Sequence, residues 1–179
     1  MINNEINFEQ RMKFEKKTLV RFFALTLPLV SAIFVTTLPF QAANAQVTPA
    51  QQQALKSLVA TGFTNHYPLK VGSQNFSLPY SINLGQVIAI AADQSRTSLD
   101  MILSPTQHQN APGVFTIQIP RHLLDSKNPS GADTPFRLTL DGHGLSWQQL
   151  SATNTDRTLG IYFTAQNGFL EIFGSQIAH

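Results

Sequence analysis

The chain has no cysteine, one tryptophan and few charges, with Asp, Glu, Lys and Arg making up 12% of its 179 residues. Without cysteine there are no disulfides, no thiol nucleophile and no thiolate metal site, so burial alone must hold the fold together. No Gly-x-Ser-x-Gly nucleophile elbow occurs. Beyond residue 45 there is no charge run, internal repeat or low-complexity tract, nor any further apolar run near the about 20 residues that span a bilayer.

The chain does carry a targeting pattern. Arg11, Lys13, Lys16, Lys17 and Arg21 form a basic lead, Phe22 to Phe40 is almost wholly apolar, and Ala43-Asn44-Ala45 is a small-x-small signal peptidase site. Cleavage after Ala45 is expected, with Gln46 as the new terminus. Pro28, Pro39 and the Ala-x-Ala ending favour removal over retention as an anchor, and Met12 is an alternative start. Five of the twelve basic and three of the ten acidic residues lie in this segment, which leaves seven of each and a net charge of zero. The overall pI of about 9.1 therefore belongs to the export signal, and nucleic acid is not an expected partner. The remaining 179 less 45, or 134, residues suit one domain with one core.

Residues 46–73 read as a short helix and lead-in. Thr48 is a cap, Pro49 suits the first helical position, Gln51 completes a capping box and Gly62 is a terminator. Leu55, Leu58 and Val59 give a narrow apolar face, which fits a helix lying on the outside of the domain or fraying, and equally a mere leader to the first strand. Residues 74–179 then alternate with period 2. Strands are expected at 74–83, 86–92, 98–103, 114–119, 136–140, 145–150, 157–164 and 169–173. Val87, Ile88 and Ile90, with Leu99, Met101 and Leu103, Phe115, Ile117 and Ile119, and Phe136, Leu138 and Leu140, supply one buried face. Asp141-Gly142 and Gln166-Asn167-Gly168 read as hairpin turns, the second joining the last two strands. The expected fold is all-β, an antiparallel sandwich of about seven to eight strands.

The order Pro79-Tyr80-Ser-Ile82, Gly85-x-Val87, Ser98-Leu99, Ile117-x-Ile-Pro-Arg-x-Leu-Leu-Asp125, Asp133, Phe136-x-Leu-x-Leu-Asp-Gly142, Thr155-Asp-Arg-Thr-Leu159 and Phe169-x-Glu-Ile-x-Gly174 resembles an immunoglobulin-like domain. That domain recurs in exported surface proteins of ammonia-oxidising archaea, and the resemblance covers residues 74–174. It implies an immunoglobulin-like sandwich in the cell envelope or secreted, and it transfers no catalytic residue. Many members end in a sorting tail and a transmembrane helix. Here the sequence ends at Ile177-Ala-His179, so free secretion or attachment through another protein is expected.

Chemistry-bearing residues are sparse. Asp125, Asn128, Ser130 and Asp133 place hard oxygen donors in one loop, and Asp141, Asn154 and Asp156 join them if the loops converge. Asp125, Asn128, Asp133 and Asp156 are thus the candidate calcium ligands, against the alternative that each serves its own turn. His122 and His143 offer a weaker transition-metal pair. Arg121 with Asp125, and Asp156 with Arg157, read as loop-pinning ion pairs. Trp147 is read as a core or sheet-face residue ahead of a sugar-stacking platform. Tyr162 and Phe163 point to opposite faces, one core and one exposed. The functional expectation is a non-enzymatic structural or interaction module, secreted or envelope-bound. It would engage an envelope or extracellular protein or glycan through a sheet edge or the 125–134 loop, with a calcium-stabilised domain or a secreted hydrolase as alternatives and no membrane contact after cleavage.

Overall fold

The computed structural model describes residues 47–105 and 111–179. The basic lead, the apolar run and the Ala43-Asn44-Ala45 site lie outside the described residues. Among the described residues no helix is long and apolar enough to cross a membrane.

Helix α1 spans Pro49–Thr61 and begins as its capping residues require. Thr48 Oγ1 accepts from the Gln51 amide at 3.2 Å, and Gln51 Oε1 accepts from the Thr48 amide at 3.0 Å. Gly62, at φ 80°, closes the helix by donating its N–H to the Leu58 carbonyl. Twelve strands follow among the described residues: β1 Asn65–Val71, β2 Gln74–Ile82, β3 Gly85–Asp93, β4 Ser98–Pro105, β5 Pro112–Pro120, β6 Leu124–Asp125, β7 Arg137–Leu140, β8 His143–Gly144, β9 Trp147–Ala152, β10 Asp156–Thr164, β11 Gly168–Phe173 and β12 Gln176–Ile177.

Two five-stranded antiparallel sheets form, in the orders β1-β2-β5-β10-β9 and β3-β4-β11-β7-β8, and β6 pairs with β12 in a small third sheet. Phe76, Leu78, Phe115, Ile117, Leu159 and Ile161 from the first sheet share one buried cluster with Leu99, Met101, Leu138, Leu170 and Ile172 from the second. One core between two sheets makes the domain an all-β sandwich. Helix α1 lies on the outer face of the first sheet, where Leu55 packs on Val114 and Tyr162. A side chain at Gly160 would put its Cβ 2.9 Å from a Leu55 methyl, so the bare backbone there lets the helix seat. Gln51 Nε2 ties it down by donating to the carbonyls of Phe163 and Gly113.

All eight expected strands form, and β1 adds a ninth long one within what reads as lead-in. Tyr67, Leu69 and Val71 alternate inward there, and Pro68 is tolerated because β1 is an edge with no second neighbour. Asp141 and Gly142, at φ 52° and 81°, make the β7–β8 turn as expected. The 166–168 segment is not a hairpin. Strand β10 already has β5 and β9 on its two sides, so β11 has no place beside it and crosses to the second sheet. Gly168 is not in the left-handed region; it is bare because a Cβ would stand 2.7 Å from Leu140 Cδ1.

Two further expectations are corrected. Ile88 is the extra residue of a bulge in β3 and is 50% exposed instead of joining Val87 and Ile90 on a buried face. Tyr162 does point away from Phe163, but α1 covers it, so both are buried. Each edge of the two five-stranded sheets carries a feature that discourages strand addition: Pro68 on β1, bulges at Ile88 on β3 and Leu150 on β9, and a β8 of only two residues.

Candidate functional site

Strand β5 stops at Pro120, which has no N–H to continue a ladder, and the chain turns sharply through Arg121 to Leu123. Arg121 becomes the hinge pin of that end. Its amide donates to the Thr155 carbonyl at 2.8 Å and its Nε to the Thr153 carbonyl at 2.7 Å, which docks the β9–β10 turn. Its Nη1 meets Asp125 Oδ2 at 2.9 Å and Asp133 Oδ1 at 2.8 Å, while Nη2 reaches Asp133 Oδ2 at 2.6 Å. A guanidinium offers five N–H donors in a flat fork, so one side chain can gather three loops.

Arg157 does the corresponding work inside. It starts β10 on the parity of Leu159, Ile161 and Phe163, so it points into the sandwich and is only 2% exposed. Nη1 donates to the carbonyls of Thr134 at 3.0 Å and Ser126 at 3.2 Å, and reaches Asp125 Oδ1 at 3.4 Å. Nε and Nη2 both donate to Gln149 Oε1, at 2.9 and 2.5 Å. Its guanidinium carbon lies 4.2 Å from the Phe136 ring centroid, a cation–π contact. Lys127 Nζ stands 3.6 Å from Asp125 Oδ2, so three cations surround one buried carboxylate.

The electrostatics follow the geometry. The hydrogen bonds from Arg121 hold the Asp133 carboxyl below the usual carboxylate range, against the opposing effect of burial. The Arg121 guanidinium is correspondingly held above its ordinary value, chiefly by Asp133.

The four candidate calcium ligands do not form one cage. Asp125 and Asp133 are brought together, but around the Arg121 guanidinium. Asn128 Oδ1 accepts from Ser130 Oγ at 2.7 Å and from the Ala132 amide at 2.9 Å, which is turn chemistry within its own loop. Asp156 Oδ2 accepts from Thr155 Oγ1 at 2.6 Å. Among the described residues no three His, Cys, Asp or Glu side chains gather where a metal ion could sit. His122 rests against the Phe76 ring, 5.1 Å between centroids, and His143 sits exposed on β8. The Arg121–Asp125 pair forms as expected. Asp156, however, is not the partner of Arg157, because neighbours in a strand face opposite ways, and Asp125 takes that place.

On the flank of the sandwich, between edge strand β9 and residues 133–135, runs an open groove of about 360 Å³. Trp147 and Gln149 line one side, Asp133 and Pro135 the other, and Arg157 contributes from within. Trp147 is half-buried and packs against the main core, so the indole is fixed while still reaching the groove. A second hollow of about 450 Å³ lies between α1 and β9, with Leu55, Leu150 and Val59 on its walls. Sequence reasoning passed over Gln149 and the inward role of Arg157. The signal was present: an arginine in register with three core positions needs a buried anion.

No family model, curated protein or solved structure matches this chain.

Proposed function

We propose that this chain is an exported, envelope-associated or secreted interaction module of broadly immunoglobulin-like sandwich type, which binds a protein or glycan without turning it over. The observation that carries this reading is the Arg157–Gln149 contact beside the Arg121–Asp133 fork. Together they immobilise polar side chains on both sides of a surface groove, and pre-ordering of that kind favours recognition. The blunted edges argue against strand addition, so the groove and the adjoining loops at 121–134 are the contact surface.

Immunoglobulin-like refers here to the sandwich architecture. The neighbours β1-β2-β5 follow the A-B-E order of that fold, whereas β10 stands where strand D would, and β3 and β4 stay together in the facing sheet. Export is inferred from the basic lead, apolar run and Ala-x-Ala ending.

The alternatives rank lower on specific grounds. A calcium ion bridging Asp125 and Asp133 would have to displace Arg121 from its four contacts with the two carboxylates. A hydrolase would need a base at the groove, and Asp133, held as an anion by a guanidinium, is a weak one. Cell fractionation with N-terminal sequencing tests export: recovery outside the cytoplasm with Gln46 first is expected, and a cytoplasmic chain retaining Met1 or Met12 would refute it.

A further inference from the structure

We propose that the groove between β9 and residues 133–135 takes a pyranose unit of a glycan, stacked on Trp147 and hydrogen-bonded by Gln149 and Asp133. The inference rests on the reading above that this groove is the contact surface, and it names the chemical class of the ligand.

Three features carry it. First, Trp147 is an aromatic plate held from behind by the core, and it borders an open groove and not a closed pocket. A sugar ring offers such a plate a face of C–H groups, while its hydroxyls stay at the rim in water. Second, the polar groups are matched to hydroxyls and locked. The Arg157 guanidinium carries donors only, so the Gln149 atom facing it must be the oxygen, and the amide nitrogen points away with its hydrogens available. Across the groove Asp133 is 40% exposed, and Arg121 fixes both of its oxygens without using all their lone pairs. A fixed donor and a fixed acceptor on the two walls are what neighbouring hydroxyls require, since each hydroxyl both gives and accepts. Third, the volume of about 360 Å³ lies within the range of small-ligand sites, about 300–1,000 Å³, near its lower end.

The molecule supplies its own probe, because Trp147 is its only tryptophan and any change in indole emission reports on this groove. The purified protein is titrated with cellohexaose, chitohexaose, mannohexaose and a galacto-oligosaccharide while emission is followed. A saturable shift with at least one of them is expected. Asp133→Asn should weaken that binding about tenfold, the size of one lost charge-assisted hydrogen bond. Trp147→Phe, which keeps a smaller plate and is read by calorimetry, should weaken it by a similar factor while the melting curve stays cooperative. No saturable response to any of the four up to roughly 10 mM, or binding indifferent to both substitutions, would overturn the proposal. The broader reading fails separately: if the protein captures an envelope partner, and periodate oxidation of that partner's sugars changes nothing, the module stands and the saccharide is wrong.

Discussion

Arg157 and Asp125 meet 3.4 Å apart inside the sandwich, and neither is more than 3% exposed. They come from the start of β10 and the end of β6, and they close the core where both sheets run out. Removing Arg157 leaves Asp125 paired with Arg121 and Lys127, but it takes charged donors from the Ser126 and Thr134 carbonyls and from Gln149 Oε1, and a hydrogen bond to a charged group is worth about 1.5–3 kcal/mol. Arg157→Met should therefore remove a large share of a total stability of about 5–15 kcal/mol, and chemical denaturation measures it. Arg121→Met, on a side chain 14% exposed, should cost less. The reverse ranking would show that Arg121 and not Arg157 closes the core.

Asp100 sets a pH dependence of unusual sign. It faces Glu171 across the β4–β11 ladder, accepts from Ser98 Oγ at 2.7 Å through Oδ1, and its buried Oδ2 has no partner among the described residues. Burial pushes its carboxyl up, with Glu171 and Asp93 adding to the rise and Ser98 and Arg96 opposing it. A folded-state value above the unfolded one means that the unfolded chain ionises first, so this contribution to stability is present at acid pH and is lost as pH rises through the folded value. Asp100→Asn should raise stability at neutral pH by about 1–3 kcal/mol, the cost of an unsatisfied buried polar group. The gain should vanish near pH 3. A loss of stability at pH 7 would contradict the account.

Asp133 runs the other way. Its carboxyl is lowered by Arg121, so its contribution is present above the unfolded carboxylate value and is lost as pH falls through the lower, folded one. Thermal melts of Asp133→Asn and the parent protein should differ at neutral pH and converge in acid. A difference that persists unchanged to low pH would mean that the Arg121 fork is not what Asp133 supplies.

Calcium should leave the melting curve where it is. The oxygens that sequence spacing offers to a dication already accept from Arg121 and from their own loop. Scans with calcium and with chelator should superimpose, since only a ligand that prefers the native state moves the midpoint. A rise of more than about 4 °C, the scale of 1 kcal/mol in a domain of this size, would restore the calcium-stabilised alternative.

How far these sites could be read from the sequence follows from how local their causes are. The Thr48 cap, the Asp141-Gly142 turn and the strands β4, β5 and β7 depend on a few neighbouring residues, and each forms where expected. The fate of residues 166–168 depends instead on whether β10 has a free side, which is decided by β5 and β9 far along the chain. Burial of Tyr162 likewise needs the helix more than a hundred residues earlier. At the site, Asp125 and Asp133 stood out by composition, but composition does not distinguish a carboxylate awaiting a metal from one awaiting an arginine. Arg157 lies 32 residues from Asp125, and only the inward parity it shares with Leu159 and Ile161 pointed to a buried partner.

The proposed function makes the groove bordered by Trp147 the contact surface for a partner. Affinity capture from envelope extracts, using the purified protein and its Trp147→Ala variant side by side, tests it most directly, with a melting curve on each to verify folding. The account predicts a specific partner retained by the parent and lost by the folded variant. Equal capture by both, or none by either, would contradict it.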